Sequence, residues 1–260
     1  MQLGEHESFF KYFCMSATVF EILLRLVGPL IVKFETVIHY TGRTTFSYPK
    51  ISCDRGDSHQ TIAFSYRLGH ATVNKIVPET CLAILNALSP IYVQCPSTAK
   101  EWEDVAEKFW EKWNLSLCIG ALDGKHLRCH CPANTGSLYF DIHGWFSIVL
   151  IALCSARYSH LLVNIGAIGS ASDGGIFERC GMKNVLYNWR LSSPADCNLP
   201  NTSTKCPYVI TANDAFPLGN HVMKPSGGWY LEQVIFNYRL SRARRVSENT
   251  FGISTAKRRI

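Results

Sequence analysis

The 260-residue chain lacks three signatures that would each fix a class at once. There is no C-x-x-C pair: the 11 cysteines run from Cys14 to Cys206 in odd number and at irregular spacing, which argues against a disulfide framework or a zinc ribbon and predicts a reducing compartment. There is no long apolar run, since Ile148 to Cys154 falls well short of the ~20 residues of a spanning helix and the stretch near Met15 is broken by Glu21 and Arg25. No membrane association is expected. A basic leader is missing as well; Glu5 and Glu7 stand where an export signal carries positive charge, so export is not expected. Low complexity is also absent. With 47% apolar, 12% aromatic and 18% charged residues, the composition is that of a packed globular chain, long enough for one large domain or two small ones.

Acidic residues are almost missing from the C-terminal end. From Arg239 to Ile260 the charges are Arg239, Arg242, Arg244, Arg245, Lys257, Arg258 and Arg259 against Glu248 alone, and this segment carries the entire formal net charge of +6. A neutral body with one basic end suits a polyanion, because phosphates are held largely by local charge and counterion release. A solvated helix face gives the same pattern, and charge alone leaves both readings open.

Hydrophobic periodicity then divides the chain. Residues 1–33 read as one packing helix, with Phe20, Leu23, Leu24, Val27 and Leu30 at helical spacing and Gly28 and Pro29 disturbing its end; residues 34–56 read as irregular. Residues 57–90 have helix-turn-helix-like spacing: a helix, a turn at Gly69, and a second helix opening at Ala71 or Thr72 that Pro78 is expected to interrupt after one or two turns. Thr72, Asn74 and Lys75 face outward as candidate nucleic-acid contacts, although a generic helical hairpin shares the pattern. TAKEWEDVAEKFWEKWN reads as a further helix with Trp102, Val105, Ala106, Phe109 and Trp113 on its core face.

From Leu115 the period becomes extended. The runs LCIGALDGKHLRCHCP, GWFSIVLIALC and HLLVNIGAIG predict a three-stranded meander, IFERCGM a short helix, residues 194–207 a polar loop, YVIT a fourth strand, and YLEQVIFNYRLSRARRVSENTFGI a long helix. Cys129, His130 and Cys131 continue the first alternation, which sends the cysteines to one face and the histidine to the other, against a shared metal. The resulting expectation is an α/β fold, with a helical N-terminal region over 1–114 and a sheet domain over 115–260.

Asp123 is out of place in this pattern. It lies in an otherwise apolar strand, which is costly unless the carboxylate is paired or holds a metal. Asp214 follows the fourth strand and Glu248 lies on the basic helix, so three acids could meet at one edge of the sheet. Such carboxylates suit Mg2+ or Mn2+, and two such ions can activate a nucleophile and stabilise the leaving oxygen of a phosphodiester. Each acid also has a local explanation: Asp123 could cap a turn with Gly124, Asp214 the segment after it, and Glu248 could pair with Arg244 four residues earlier.

Taken in order, GALDGKHL, NTGSLYF with GWFSIVLIALC, SASDGGIF, PYVITANDAFPL with HVMKP, and IFNYRLSRARRVSENTFGI resemble the catalytic domain of the PIF/Harbinger transposases and the nucleases derived from them. The likeness covers about residues 57–252 and is weaker over 4–33. It implies an RNase H-like mixed sheet with flanking helices, a DDE triad binding two divalent metal ions, and DNA strand cleavage or transfer. A nuclear location, with the cytoplasm second, and a Myb-like DNA-binding partner protein are also implied. Asp123 and Glu248 match the first and third acids. The second falls on Asn213, an amide where the family has an acid ahead of Ala-Phe-Pro-Leu, and Asp214 stands one place further on. Asp214 serves in its stead only if the strand has ended and the backbone turns it inward. Asp123, Asp214 and Glu248 are therefore the candidate catalytic and metal-binding residues, with Arg239, Arg242, Arg244, Arg245 and Lys75 as candidate DNA contacts. Further departures are His143 where a lysine is usual, an unfamiliar segment over 34–56, and an end, STAKRRI, that is short by comparison with relatives. Two functions are compatible with this: a metal-dependent nuclease impaired at Asn213, or a catalytically inactive, domesticated module that associates with DNA or with proteins.

Overall fold

The computed structural model describes residues 3–13, 15–31, 58–188, 194–225, 227 and 230–258; the irregular stretch expected over 34–56 lies outside them. The chain divides into two compact units, Met1–Tyr92 with Ile253–Ile260, and Val93–Gly252.

The first unit holds α1 (Leu3–Phe13), α2 (Ala17–Ile31), α3 (His59–Tyr66) and α4 (His70–Tyr92). The single helix expected over 1–33 is thus two helices. Ser16 starts the second one: its Oγ accepts the Val19 N–H at 3.3 Å and its carbonyl the Phe20 N–H, so a fresh N-cap replaces continuation. Phe20, Val27 and Ile31 then pack with Met15 and with Ala83 of α4. Between α3 and α4 the expected turn is present, Ser58 capping α3 and Arg67 closing it in the left-handed conformation. Pro78 does not interrupt the second helix, which opens at His70 and runs for 23 residues through both Pro78 and Pro90. A proline costs a helix one backbone hydrogen bond and some bending, and here the buried stripe Val73, Val77, Thr80 and Ala83 continues on both sides of it. Asn74 is exposed, yet its side chain bonds the rings of His59 and His70 and so ties α3 to α4; Lys75 is exposed on α4. Among the described residues no single helix is long and apolar enough to cross a membrane.

The second unit is built on a five-stranded sheet. The strands β1 (Cys118–Arg128), β2 (Ser147–Cys154) and β3 (His160–Ile168) form the expected antiparallel meander. After α6 (Asp173–Arg179), α7 (Gly181–Asn188) and a small hairpin of β4 (Cys197–Asn198) with β5 (Lys205–Cys206), the strands β6 (Val209–Ala212) and β7 (Val222–Met223) add in parallel on the other side of β1. The order is β3-β2-β1-β6-β7. Between β2 and β6, β1 is buried at every residue from Cys118 to Asp123, which explains its nearly continuous apolar run.

Two helices complete the layers. The helix α5 (Ala99–Trp113) opens with a capping box of Thr98 and Glu101 and buries Trp102, Val105, Ala106 and Phe109 in the core of the sheet unit, although the sequence groups it with the N-terminal helices. The long α8 (Leu231–Arg258) adds Leu240, Ala243, Val246 and Phe251 to the same core. This is the expected α/β, RNase H-like arrangement of a mixed sheet with flanking helices, accompanied by an N-terminal helical region.

Two local expectations need correction. The loop expected over 194–207 contains the β4–β5 hairpin, because Asn201 takes a left-handed turn conformation (φ 61) and the Thr202 N–H bonds the Leu199 carbonyl. The alternation expected through Cys131 stops with β1 at Arg128, so Cys129, His130 and Cys131 lie beyond the strand.

Gly174, in α6, lies so close to the turn after β6 that a Cβ there would collide with the backbone carbonyl of Ala215, whereas the space beside Gly181 is open. Because a backbone carbonyl cannot swing aside, Gly174→Ala is expected to cost about 1–3 kcal/mol of stability. Gly181→Ala is expected to change it by less than about 1 kcal/mol. Urea unfolding of the two variants checks this; equal midpoints would refute the close approach.

Candidate active site

The register of β1 with β6 places the site. Leu122 pairs in parallel with Ala212, so residue 213 arrives beside residue 123 just where β6 ends. The Asn213 side chain turns inward there. Its Oδ1 accepts the Ala215 N–H at 2.9 Å, and its Nδ2 donates to Asp123 Oδ1 at 2.7 Å. The Ala215 N–H can only donate, so the amide has one workable orientation, with its NH2 toward the carboxylate. The Gly124 N–H reaches the same Asp123 oxygen at 3.0 Å, and Ser247 Oγ, from α8, reaches Oδ2 at 3.2 Å.

Asp123 is only 6% exposed. Burial pushes its carboxyl above the ordinary value, the Gly124 and Ser247 hydrogen bonds and the Arg244 charge pull it back, and the Glu248 charge pushes it up further. The Glu248 charge is therefore felt at Asp123. The Glu248 carboxylate is engaged one turn back, with Oε1 3.1 Å from Arg244 Nη2.

Asp214 is exposed and lines a cavity of about 360 Å³ with Asn213, Ala215, Pro225, Ser241 and Arg244, while Lys224 Nζ donates to its backbone carbonyl at 3.5 Å. The strand has ended, but the inward turn required of Asp214 is taken by Asn213, whose Asx-type bond to Ala215 sets the chain direction. Among the described residues no three His, Cys, Asp or Glu side chains gather into a group that could hold a metal ion. The side chains at the site do not fit a pair of hard divalent cations. Both oxygens of Asp123 already accept protein donors, the Asn213 carbonyl oxygen is used by Ala215, and Glu248 is paired to Arg244.

The arginines of α8 divide between two tasks. Arg244 turns to Glu248. Arg239, Arg242 and Arg245 follow at three-residue spacing; Arg239 and Arg245 are exposed, and the Arg242 guanidinium lies 5.8 Å from the Trp113 ring centre and 5.6 Å from that of Tyr238. Lys75 belongs to the other unit.

Sequence reasoning passed over Ser247 and Asp141. Ser247 is fully buried on α8, and the one signal for it is a small polar residue in register with Leu240, Ala243 and Val246. Asp141 is 4% exposed and is the sole acid between Lys125 and Ser147, a signal that was available.

The family model of the DDE superfamily endonucleases matches residues 122–258, more than half of the chain and the whole course from Asp123 to the end of α8. No curated protein and no solved structure matches it. With Asp123, residue 213 and Glu248 all inside the matched segment, the chain belongs to the DDE superfamily endonuclease family.

Proposed function

We propose that this chain is a Harbinger transposase-derived protein that binds DNA through α8 and in which Asn213 suppresses metal-dependent cleavage. The hydrogen bond from Asn213 Nδ2 to Asp123 Oδ1, at 2.7 Å, carries the reading. Two carboxylates this close would repel, by ~4 kcal/mol for unit charges ~4 Å apart at an effective dielectric of ~20, and a cluster of acids is stable only with cations between them. An amide reverses that requirement: it donates to the carboxylate, is neutral, and satisfies the site without a cation. DNA as the ligand is supported by the family's activity and by the exposed Arg239 and Arg245. A nuclear location and a Myb-like partner accompany the Harbinger likeness. Metal-dependent cleavage by Asp123 and Glu248 is the second reading, favoured by the effect of the Glu248 charge on Asp123.

The Asn213→Asp variant separates the two. In EDTA it is expected to unfold more easily than the parent by roughly 1–4 kcal/mol, with Mn2+ restoring most of the loss, because the Nδ2 donor to Asp123 is replaced by a second negatively charged oxygen. Thermal unfolding with and without Mn2+ measures this, and a variant indifferent to Mn2+ would remove the amide's proposed role.

Cleavage is tested on supercoiled plasmid. The parent chain is expected to show no Mn2+-stimulated nicking, Asn213→Asp to gain it, and Asn213→Asp with Glu248→Ala to lose it again. Strong nicking by the parent, not improved in the variant, would favour the nuclease reading.

Binding is tested by salt titration of a labelled duplex. Replacing Arg239 and Arg245 with alanine is expected to lower affinity for all sequences and to reduce the slope of log K against log salt by about 2, close to one per phosphate contact. An unchanged slope would exclude this part of α8 as the phosphate-binding surface.

A further inference from the structure

The hairpin between β1 and β2 holds an apolar tip in water by burying an acid. Asp141 lies at its base, and one carboxylate oxygen accepts the His143 N–H at 2.8 Å and the Trp145 N–H at 3.4 Å. The Asp141 N–H bonds the Trp145 carbonyl at 2.9 Å, and the Gly144 N–H bonds back to the Asp141 carbonyl at 3.2 Å, with Gly144 in a left-handed conformation (φ 86). Below this turn the Phe140 and Phe146 rings pack edge to face at 5.3 Å, and the Ser147 N–H bonds the Tyr139 carbonyl at 2.8 Å. His126, from β1, sits with Nδ1 2.9 Å from Ser147 Oγ and 3.4 Å from the second Asp141 oxygen.

The product of this scaffold is Ile142, which is 93% exposed. A large branched side chain gains nothing from such a position in the free protein, and an isoleucine in a loose loop would fold back over apolar surface. This turn keeps it out. Basic and aromatic groups stand around the tip: His143 stacks on Trp145 at 5.3 Å, and the Arg128 guanidinium lies 5.6 Å from the same ring. Trp145 thus holds an imidazole and a guanidinium beside the apex. Lys125, Arg128, His130 and His143 are exposed, and from Lys125 to Ser147 there is no acid but the buried Asp141.

We infer that the 139–147 hairpin is a wedge for duplex DNA: Ile142 enters a base step and partly unstacks it, while Arg128 and His143 hold the flanking phosphates. This rests on the proposed DNA binding. Leu138, Phe140 and Trp145 are exposed beside Ile142, and it is the basic groups among these apolar side chains that favour DNA, because large apolar side chains between basic groups are the means by which proteins open base steps.

The test uses the full chain and duplexes carrying 2-aminopurine, whose fluorescence rises when its base unstacks. The parent is expected to raise the signal, more so beside a mismatch, where unstacking is already partly achieved. Ile142→Ala, a change at an exposed position, is expected to keep affinity for a fully paired duplex within about threefold while losing most of the fluorescence rise; Ile142→Phe is expected to retain it. Arg128→Ala is expected to weaken binding and reduce the salt slope by about 1. A parent that binds DNA without any rise, or an Ile142→Ala variant with the full rise, would overturn the wedge and leave DNA binding standing. Failure of the parent to bind any duplex would overturn both.

Discussion

A carboxylate in the middle strand of a sheet has to be answered by the rest of the fold. Asp123 is 6% exposed in a strand buried on both faces, and an ionised group there is tolerated only where donors reach it. The donors come from three places: the Gly124 amide on β1, the Asn213 side chain at the end of β6, and Ser247 on α8. The parallel pairing of β1 with β6 and the seating of α8 against the sheet are therefore tied to one side chain. A shift of β6 by one residue would present Ala212 or Asp214 to it instead, one unable to donate and the other of like charge.

The Asn213 amide is fixed from both ends, and that links the site to α6. Its oxygen holds the Ala215 N–H, and the carbonyl of Ala215 lies against Gly174 of α6. On the other side of β1, the Asp173 carboxylate stands where a Cβ on Gly124 would be, so a side chain there would have to displace it. The start of α6 thus constrains both segments that meet at Asp123. In SASDGGIF, Gly174 is required by the Ala215 carbonyl beside it, which is a physical reason for a residue without a side chain in the first turn of α6.

What could be read from the sequence follows from the range of the forces involved. The meander, the core face of α5 and the anomaly at Asp123 are visible because burial repeats with a period of two or 3.6 residues. The choice between Asn213 and Asp214 was reduced to the condition that the strand end and the backbone turn inward, but its outcome depends on a bond between the Asn213 side chain and the Ala215 amide that no periodicity encodes. Pro78 illustrates the opposite error: the local rule was sound, and the buried stripe of α4 outweighed it. Ser16 and Asn201 acted through single capping or turn conformations inside segments read as uniform. Ser247 stayed hidden because α8 interleaves its core residues with arginines, so the helix has no clean apolar face on which a buried serine would stand out.

The two buried acids of the sheet unit solve the same problem by different means. Asp123 depends on donors 90 and 124 residues away in sequence, so its state is set by tertiary structure and by the side chain at position 213. Asp141 takes its donors from His143 and Trp145, within its own hairpin, and needs nothing from the acidic site. A change that alters the charge balance at Asp123 therefore leaves the 139–147 hairpin intact, and the exposed arginines of α8 are likewise independent of it. In the function proposed above, the α8 arginines that would hold DNA and the side chain at position 213 that sets the state of Asp123 are therefore separate parts of the fold, and a change in one leaves the other in place.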